Sequence, residues 1–219
     1  MSLLEFQNVS FNSDNKVILE DISFSVEPGD FVSIVGPSGS GKSTLLKLCS
    51  NLISPDNGDI IFNGKNYTDY NPVDLRKSIM YCFQTPYLFG KTVMDNIEFP
   101  YSIRNIKPDF TRVNSLFTMF NMSSDYLKRD VKNLSGGEKQ RIALIRSMIF
   151  MPKILLLDEI TSALDVDNTL IVEKVIASIN NEGTTVIWIT HDPVQSRKYA
   201  NKVLTIDSGK IKSFEEVTK

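Results

Sequence analysis

The chain of 219 residues lacks any long apolar run. Its longest aliphatic stretch, "ILLLD", is far shorter than the roughly 20 apolar residues that a membrane-spanning helix needs. The N-terminal stretch "MSLLEFQNVSF" has neither a basic segment nor a long apolar core, so we expect no secretory signal there. The sequence therefore predicts a protein that does not cross a membrane by itself.

Cysteine, histidine and net charge are also scarce. The two cysteines, Cys49 and Cys82, have no CxxC spacing and no neighbouring histidine, which argues against a disulfide or a metal cluster. The 24 basic residues are balanced by 26 acidic ones, and no run of one sign occurs. This balance gives no reason to expect a nucleic-acid partner, although it leaves open a local basic cleft.

The chain does contain alternating strand and helix patterns. Near the N-terminus, "LLEFQNVSF" and "VILEDISFSV" partly alternate polar and apolar residues, which is typical of half-buried antiparallel strands. The runs "FVSIV", "KILLLD", "TTVIWIT" and "KVLTID" are typical of buried strands, and helical patterns separate the last three. Strands that alternate with helices predict an α/β fold: a parallel-sheet core with right-handed crossovers, and an antiparallel β edge at the N-terminus.

From about Thr92 to Phe150, helical spacing replaces the β-branched runs, as in "NSLFTMFNM" and "RIALIRSMIF". We interpret this change as a helical insertion into a single domain that spans residues 1–219. The expected core comprises residues 1–88 and 151–219, and the expected helical subdomain comprises residues 89–150.

The segment "GPSGSGKS" matches G-x-x-x-x-G-K-[ST] at every specified position and lies between a predicted strand and a predicted helix. Glycines let backbone N–H groups approach phosphate oxygens, and a helix N-terminus adds partial positive charge. Lys42 is expected to reach the β- and γ-phosphates, and the Ser43 hydroxyl to bind Mg²⁺. This motif predicts a nucleoside triphosphate with Mg²⁺. The predicted nucleotide-binding residues are Gly36, Pro37, Ser38, Gly39, Ser40, Gly41, Lys42, Ser43 and Thr44.

Two acids, Asp158 and Glu159, follow the buried strand "ILLL". Ligands of open α/β sheets lie outside the carboxyl ends of the strands, so Asp158 is placed to hold Mg²⁺ directly or through water. Glu159 is placed to polarise a water for in-line attack on the γ-phosphate. The alternative is two acids at the start of a solvated loop. Sequence position alone leaves open which of the two acids acts as the base.

Two further polar residues follow predicted strands. His191, the only histidine, comes after "VIWIT" at the same expected sheet edge, where it could hydrogen-bond the γ-phosphate or orient the attacking water. Gln84 follows the predicted strand "SIMYCF" and could contact Mg²⁺ or water while it links the core to the helical insertion. The alternatives are a structural histidine and a solvated loop glutamine.

The stretch "LSGGEKQ" looks like a second phosphate cradle. Ser135 is a good N-cap, but two glycines in a first helical turn cost about 1 kcal/mol each relative to alanine. Capping therefore explains the serine, whereas close contact with a phosphate explains Gly136 and Gly137. One γ-phosphate does not need two cradles, so we expect two copies to face head to tail. The turn of one chain would then close over the nucleotide that Lys42 of the other chain holds.

Together these motifs resemble those of the ATP-binding cassette ATPases of the ABC transporter family, in the family's order and over most of the chain. "GPSGSGKST" resembles the Walker A motif, "LSGGEKQ" the signature, "ILLLDE" the Walker B motif and "SALD" the D-loop. Gln84 resembles the Q-loop glutamine, and His191 the switch histidine. The resemblance implies a P-loop NTPase fold of the RecA-like type, with ATP and Mg²⁺ as ligands and Glu159 as the base. It also implies a homodimer on ATP binding. A separate transmembrane permease is implied as well, which the surface around residues 84–90 would contact at the cytoplasmic face of the membrane.

Two details qualify the resemblance. The family usually stacks an aromatic on adenine two residues beyond Phe11, where this chain has Ser13, so Phe11 or another side chain substitutes or the base is held weakly. Ile160 in "DEITSALD" stands where most cassettes have proline, and with "QTPYLFG" it resembles the ATPases of bacterial iron-export systems. No cluster of metal-ligand spacing is present in the sequence, so any metal path would lie in the partner.

Three functions compete. The first is the ATPase subunit of a transporter, for iron export or for another small substrate. The second is a soluble cassette ATPase that acts on nucleic acid or translation, but such relatives carry long insertions, tandem cassettes or basic arms, and this chain has none. The third, nucleotide binding without turnover, is disfavoured because Glu159 and His191 are both present. The sequence therefore favours the transport ATPase.

Overall fold

A computed structural model describes residues 1–217 of the chain. These residues form ten strands and seven α-helices, with 3₁₀ turns at Tyr67–Asp69, Ser124–Lys128 and Val131–Asn133. The strands are β1 (Leu4–Ser13), β2 (Lys16–Val26), β3 (Phe31–Val35), β4 (Asn57–Phe62), β5 (Lys65–Asn66), β6 (Ile79–Cys82), β7 (Ile154–Asp158), β8 (Thr185–Ile189), β9 (Lys202–Asp207) and β10 (Lys210–Glu216). The helices are α1 (Lys42–Cys49), α2 (Pro72–Ser78), α3 (Val93–Ser102), α4 (Phe110–Met119), α5 (Gly136–Met148), α6 (Val166–Asn181) and α7 (Pro193–Lys198).

The chain divides into two compact units. Among the described residues, the first comprises 1–81, 152–159 and 180–217, and the second comprises 82–151 and 160–179. This division differs from the expected core and helical subdomain chiefly because residues 160–179, which include most of α6, cluster with the helices that precede them. The expected boundaries of 1–88, 89–150 and 151–219 stay a prediction.

A six-stranded sheet in the order β10-β9-β3-β8-β7-β6 forms the centre of the first unit. Strands β9, β3, β8 and β7 are parallel to one another, as the sequence predicts, and β10 adds an antiparallel edge through a tight turn. The residues of β7 and β8 are all buried. Strands covered on both faces have continuous apolar sequences, which is why these runs could be recognised.

The N-terminal antiparallel strands form a second sheet, in the order β2-β1-β4-β5. They make up a sheet of their own, rather than the edge of the parallel sheet, because β1 pairs with β2 on one side and with β4 on the other. Apolar residues of both sheets and of α1 share one core cluster, which includes Phe6, Ile34 and Leu45. The α/β fold class with a parallel sheet and an antiparallel β part is confirmed.

The register of the parallel strands sets up one chemical edge. Asp158, at the end of β7, is paired with Ile189 at the end of β8, and Ile189 is paired with Ile34 of β3. The segments that follow these three strands therefore leave the sheet at the same level. They contain the glycine-rich loop, the two acids and the only histidine.

The second unit is built from capped helices. Thr92 and Asp95 form a capping box at the start of α3, and Asp109 accepts hydrogen bonds from two backbone N–H groups at the start of α4. Ser135 and Glu138 form a capping box at the start of α5. Side-chain oxygens in these positions satisfy N–H groups that a helix cannot bond internally, so each start is locally encoded.

Within the described part of the chain, no helix combines the length and the apolar character that a bilayer crossing requires.

Candidate functional site

The glycine-rich loop connects β3 to α1 in a tightly packed turn. A Cβ atom added at Gly36 would lie 1.9 Å from the carbonyl oxygen of Ile206, so only glycine fits there. Gly41 stands at the N-cap of α1 with a left-handed φ of 102°, and no described side chain caps this helix. The start of α1 therefore presents backbone N–H groups that an anion can bind.

Lys42 is buried at the base of this loop, in the first turn of α1. Its Nζ donates to the carbonyl oxygens of Gly36 at 3.0 Å and Pro37 at 2.8 Å. Desolvation by burial lowers the pKa of Lys42, while the negative charges of Glu159 and Asp158 act in the opposite direction. The loop thus holds the Lys42 ammonium group in a position to bind an anion, and this ammonium group lies near two carboxylates.

The residues predicted to hold Mg²⁺ lie in both units. In the first unit, the Ser43 hydroxyl donates to Oδ1 of Asp158 at 3.1 Å. The two oxygens that the sequence suggests as metal ligands are therefore adjacent. Gln84 lies in the second unit, where it is exposed and its Nε2 donates to the Ser162 hydroxyl at 3.4 Å. Gln84 is thereby joined to the D-loop segment of its own unit.

Glu159 and His191 form a direct pair. Glu159 Oε1 lies 2.7 Å from His191 Nε2, and the histidine side chain is about half exposed, at 48%. The Glu159 backbone has a left-handed φ of 48°, and its N–H donates to the carbonyl oxygen of Ile189 at 3.1 Å. A non-glycine residue in this conformation carries strain of order 1–2 kcal/mol. The hydrogen bond to the neighbouring strand helps to hold the Glu159 backbone in this conformation and so fixes the direction of its carboxylate.

The two glycines in the first turn of α5 have different surroundings. Ser135 accepts the N–H of Glu138 at 3.3 Å, and Glu138 accepts the N–H of Ser135 at 2.7 Å, which confirms the predicted cap. A Cβ atom at Gly137 would lie 3.0 Å from Asn168 Nδ2, so packing within the unit already explains this glycine. At Gly136 no described atom lies within 4 Å of that position. The phosphate argument from the sequence therefore rests on Gly136 and on the exposed Ser135.

The residues of the first unit suit a magnesium–nucleotide ligand. The Ser40 hydroxyl is buried and has no hydrogen-bond partner among the described residues, as expected of a group that binds an anion in this loop. The Ser43 hydroxyl and the Asp158 carboxylate are oxygen donors of the kind that Mg²⁺ prefers. The remaining predicted loop residues, Pro37, Ser38, Gly39 and Thr44, lie in the same loop and at the start of α1.

Sequence reasoning missed two residues of this region. Tyr81 donates its hydroxyl to Oδ2 of Asp158 at 2.5 Å, and Asn168 covers Gly137 while it donates to Asp165 at 2.7 Å. An aromatic residue in an apolar strand and an amide in a helix carry no distinctive pattern. Phe11, a possible substitute for the missing adenine-stacking residue, is partly buried and packs against the core cluster.

Comparison with known proteins gives consistent results. The family model described as ABC transporter matches residues 19–162. The probable iron export ATP-binding protein FetA of Escherichia coli is 45% identical over 205 residues, which cover 93% of this chain and 91% of that protein. The chain belongs to the ABC transporter family.

Two further relatives extend the comparison. The spermidine/putrescine import ATP-binding protein PotA of Mycoplasma mycoides is 33% identical, over 97% of this chain and 61% of that protein. A dimeric structure of the ATP-binding cassette MJ0796, in a post-hydrolysis state bound to ADP and Pi, aligns with a TM-score of 0.88 and 26% identity, covering 99% of both chains. The cassette is thus an ATP-binding subunit of an ABC transporter that hydrolyses ATP to ADP and phosphate.

The strain at Glu159 can be measured by comparing Glu159→Gly with Glu159→Ala. Both substitutions remove the carboxylate and its contact with His191, but only glycine adopts a φ of 48° at no steric cost. We expect the glycine variant to be more stable than the alanine variant by about 1 kcal/mol in urea denaturation. A more stable alanine variant, the usual order at unstrained sites, would show that the backbone is relaxed at this position.

Proposed function

We propose that this cassette drives a transporter as a head-to-tail homodimer bound to a separate transmembrane permease, and that its substrate is iron moving out of the cell. One observation carries the proposal: five polar side chains lie together at the carboxyl edge of β3, β7 and β8. They are Lys42, Ser43, Asp158, Glu159 and His191. This edge combines a cation for phosphates, oxygen donors for Mg²⁺ and a carboxylate for an attacking water.

In the proposed hydrolysis, the Lys42 ammonium and the loop N–H groups hold the phosphates of ATP. The Glu159 carboxylate accepts a proton from the attacking water, and its contact with His191 at 2.7 Å keeps it in position. Both carboxylate oxygens of Asp158 accept hydrogen bonds, from Ser43 and Tyr81, and the resemblance to the family's catalytic glutamate supports Glu159 as the base. The proposed catalytic residues of the first unit are therefore Glu159 and His191, and Gln84 is proposed as a third from the family resemblance alone.

Ser43 and Asp158 are the residues of the first unit that would hold Mg²⁺, and the family resemblance suggests Gln84 as a further ligand. The bound ion supplies charge neutralisation on the β- and γ-phosphate oxygens. The chain's own contribution is to keep the two oxygens of Ser43 and Asp158 adjacent, at 3.1 Å, before any ligand binds.

The dimer proposal rests on the exposed N-cap and first turn of α5. Ser135 and Gly136 are exposed, and Gly136 has open space where a side chain would stand. A turn of this kind is free to approach a phosphate on another copy of the chain, and a head-to-tail pair would complete two such sites at once. The relative MJ0796 has been solved as a dimer, which supports a dimer here.

The permease proposal rests on exposed apolar side chains in the second unit. Tyr87 is 72% exposed, and several apolar neighbours along the chain are also exposed. Of the apolar residues Tyr87, Leu88 and Phe89 in this loop, Tyr87 is the exposed one, whereas Phe89 packs on Phe99 with ring centroids 4.8 Å apart. The exposed set is Phe83, Tyr87, Phe99, Ile103, Ile106 and Phe110. We place the cassette at the cytoplasmic face of the membrane, held there by the permease.

Iron export is favoured by the similarity to FetA, at 45% identity over nearly the whole chain. Transport of another small substrate is the alternative, because a relative named for polyamine import is 33% identical. No group of three or more metal-ligating side chains occurs within residues 1–217, so the proposed iron path lies in the permease.

Glu159→Gln tests the assignment of the base. The amide keeps the size of the side chain but cannot accept the proton, so ATP turnover is expected to fall by about 100-fold or more while ATP binding persists. The variant should elute as an ATP-bound dimer in size-exclusion chromatography. Glu98→Gln, at an exposed position of α3, is the matched control and should behave as the wild type. Normal turnover of Glu159→Gln would refute the assignment.

The transported species can be tested in cells that lack the gene for this cassette. With excess iron in the medium, such cells are expected to hold more iron than the parent strain, as measured by elemental analysis. The wild-type gene should reverse the excess, and the Glu159→Gln gene should not. Unchanged iron together with altered polyamine content would favour the alternative substrate.

A further inference from the structure

The two carboxylate oxygens of Asp158 are held by different residues of the first unit. Ser43 donates its hydroxyl to Oδ1 at 3.1 Å, and Tyr81 donates its hydroxyl to Oδ2 at 2.5 Å. A hydroxyl that donates to an ionised carboxylate at about 2.5–2.7 Å forms one of the stronger hydrogen bonds in proteins. Asp158 is also buried, with 7% of its surface exposed, so its orientation depends on these partners.

Tyr81 is well placed to control this orientation. It lies on β6, which neighbours β7 in the sheet, and Asp158 is the last residue of β7. The tyrosine ring is partly buried and packs against the core cluster of the unit. The ring is therefore anchored by packing, and its hydroxyl reaches the adjacent strand end.

Packing alone does not explain this hydroxyl. A phenylalanine would bury the same ring, but it would set an apolar edge against a buried carboxylate. Two other tyrosines of the unit satisfy their hydroxyls on backbone carbonyls, Tyr67 on Cys49 at 2.6 Å and Tyr70 on Phe62 at 2.8 Å. Tyr81 instead donates to the acid that we propose as a ligand of Mg²⁺.

We propose that Tyr81 is a positioning residue that holds Oδ2 of Asp158 and so keeps Oδ1 directed toward Ser43. Because the Tyr81 hydroxyl occupies one oxygen, the carboxylate presents the other to the Ser43 side in a single orientation. Partners that orient a metal ligand in this way typically change metal affinity by about 10–100-fold when they are removed. The inference rests on the proposed role of Ser43 and Asp158 in holding Mg²⁺.

Tyr81→Phe tests this role, with binding rather than turnover as the readout. The affinity for a fluorescent, non-hydrolysable ATP analogue is measured in EDTA and again with saturating Mg²⁺. The ratio of the two affinities reports how much Mg²⁺ tightens nucleotide binding. We expect the variant to match the wild type within two-fold in EDTA and to lose about ten-fold of the Mg²⁺-dependent tightening.

Two control variants separate the possible explanations. Tyr70→Phe also removes the hydroxyl of a partly buried tyrosine of the unit, but that hydroxyl donates to the backbone carbonyl of Phe62 and not to an acid. This variant should keep the full Mg²⁺-dependent tightening. Asp158→Asn should lose most of the tightening. If Asp158→Asn keeps it, the proposed Mg²⁺ site is wrong and the inference falls with it.

The inference alone is overturned if Asp158→Asn loses the tightening and Tyr81→Phe keeps it within two-fold. It is equally overturned if Tyr81→Phe weakens binding by the same factor in EDTA and in Mg²⁺, because that result indicates a structural role. Should Tyr81→Phe fail to fold, as judged by circular dichroism, Tyr81→Met keeps the apolar bulk and carries the same expectations.

Discussion

The parallel register of β3, β8 and β7 is the constraint on which the rest of the structure depends. Ile34, Ile189 and Asp158 stand at one level, so each segment that follows them leaves the same edge of the sheet. A carboxylate, a histidine and a lysine that are far apart in the chain are thereby brought within reach of one ligand. The buried apolar strands fix this edge, and the polar residues beyond it are those that we propose for the chemistry.

The same edge accommodates a strained backbone at Glu159 and a buried carboxylate at Asp158 because neighbouring side chains bond to both residues. Glu159 keeps a left-handed φ of 48° while it contacts His191, and Asp158 is engaged by Ser43 and Tyr81. Side chains arranged in this way need little reorganisation when a substrate arrives, which is a general source of catalytic power. In our account, a second copy of the chain provides the exposed residues Ser135 and Gly136.

The sequence revealed the parts of this site that local pattern encodes. The glycine-rich loop, the acids after "ILLL" and the N-cap at Ser135 each follow from spacing and residue type, and the structure places them where expected. The contact between Tyr81 and Asp158 joins residues 77 positions apart, so no local pattern predicts it. The packing of Gly137 against Asn168 is likewise invisible until the chain is folded.

The claim that two copies complete each other's sites is tested most directly by a crystal structure of Glu159→Gln grown with ATP and Mg²⁺. The account predicts a head-to-tail dimer in which Ser135 and Gly136 of each chain contact the γ-phosphate of the nucleotide held by Lys42 of the other. The measured quantity is the distance from the Ser135 hydroxyl to that phosphate across the interface. A turn that instead contacts the nucleotide of its own chain would contradict the account.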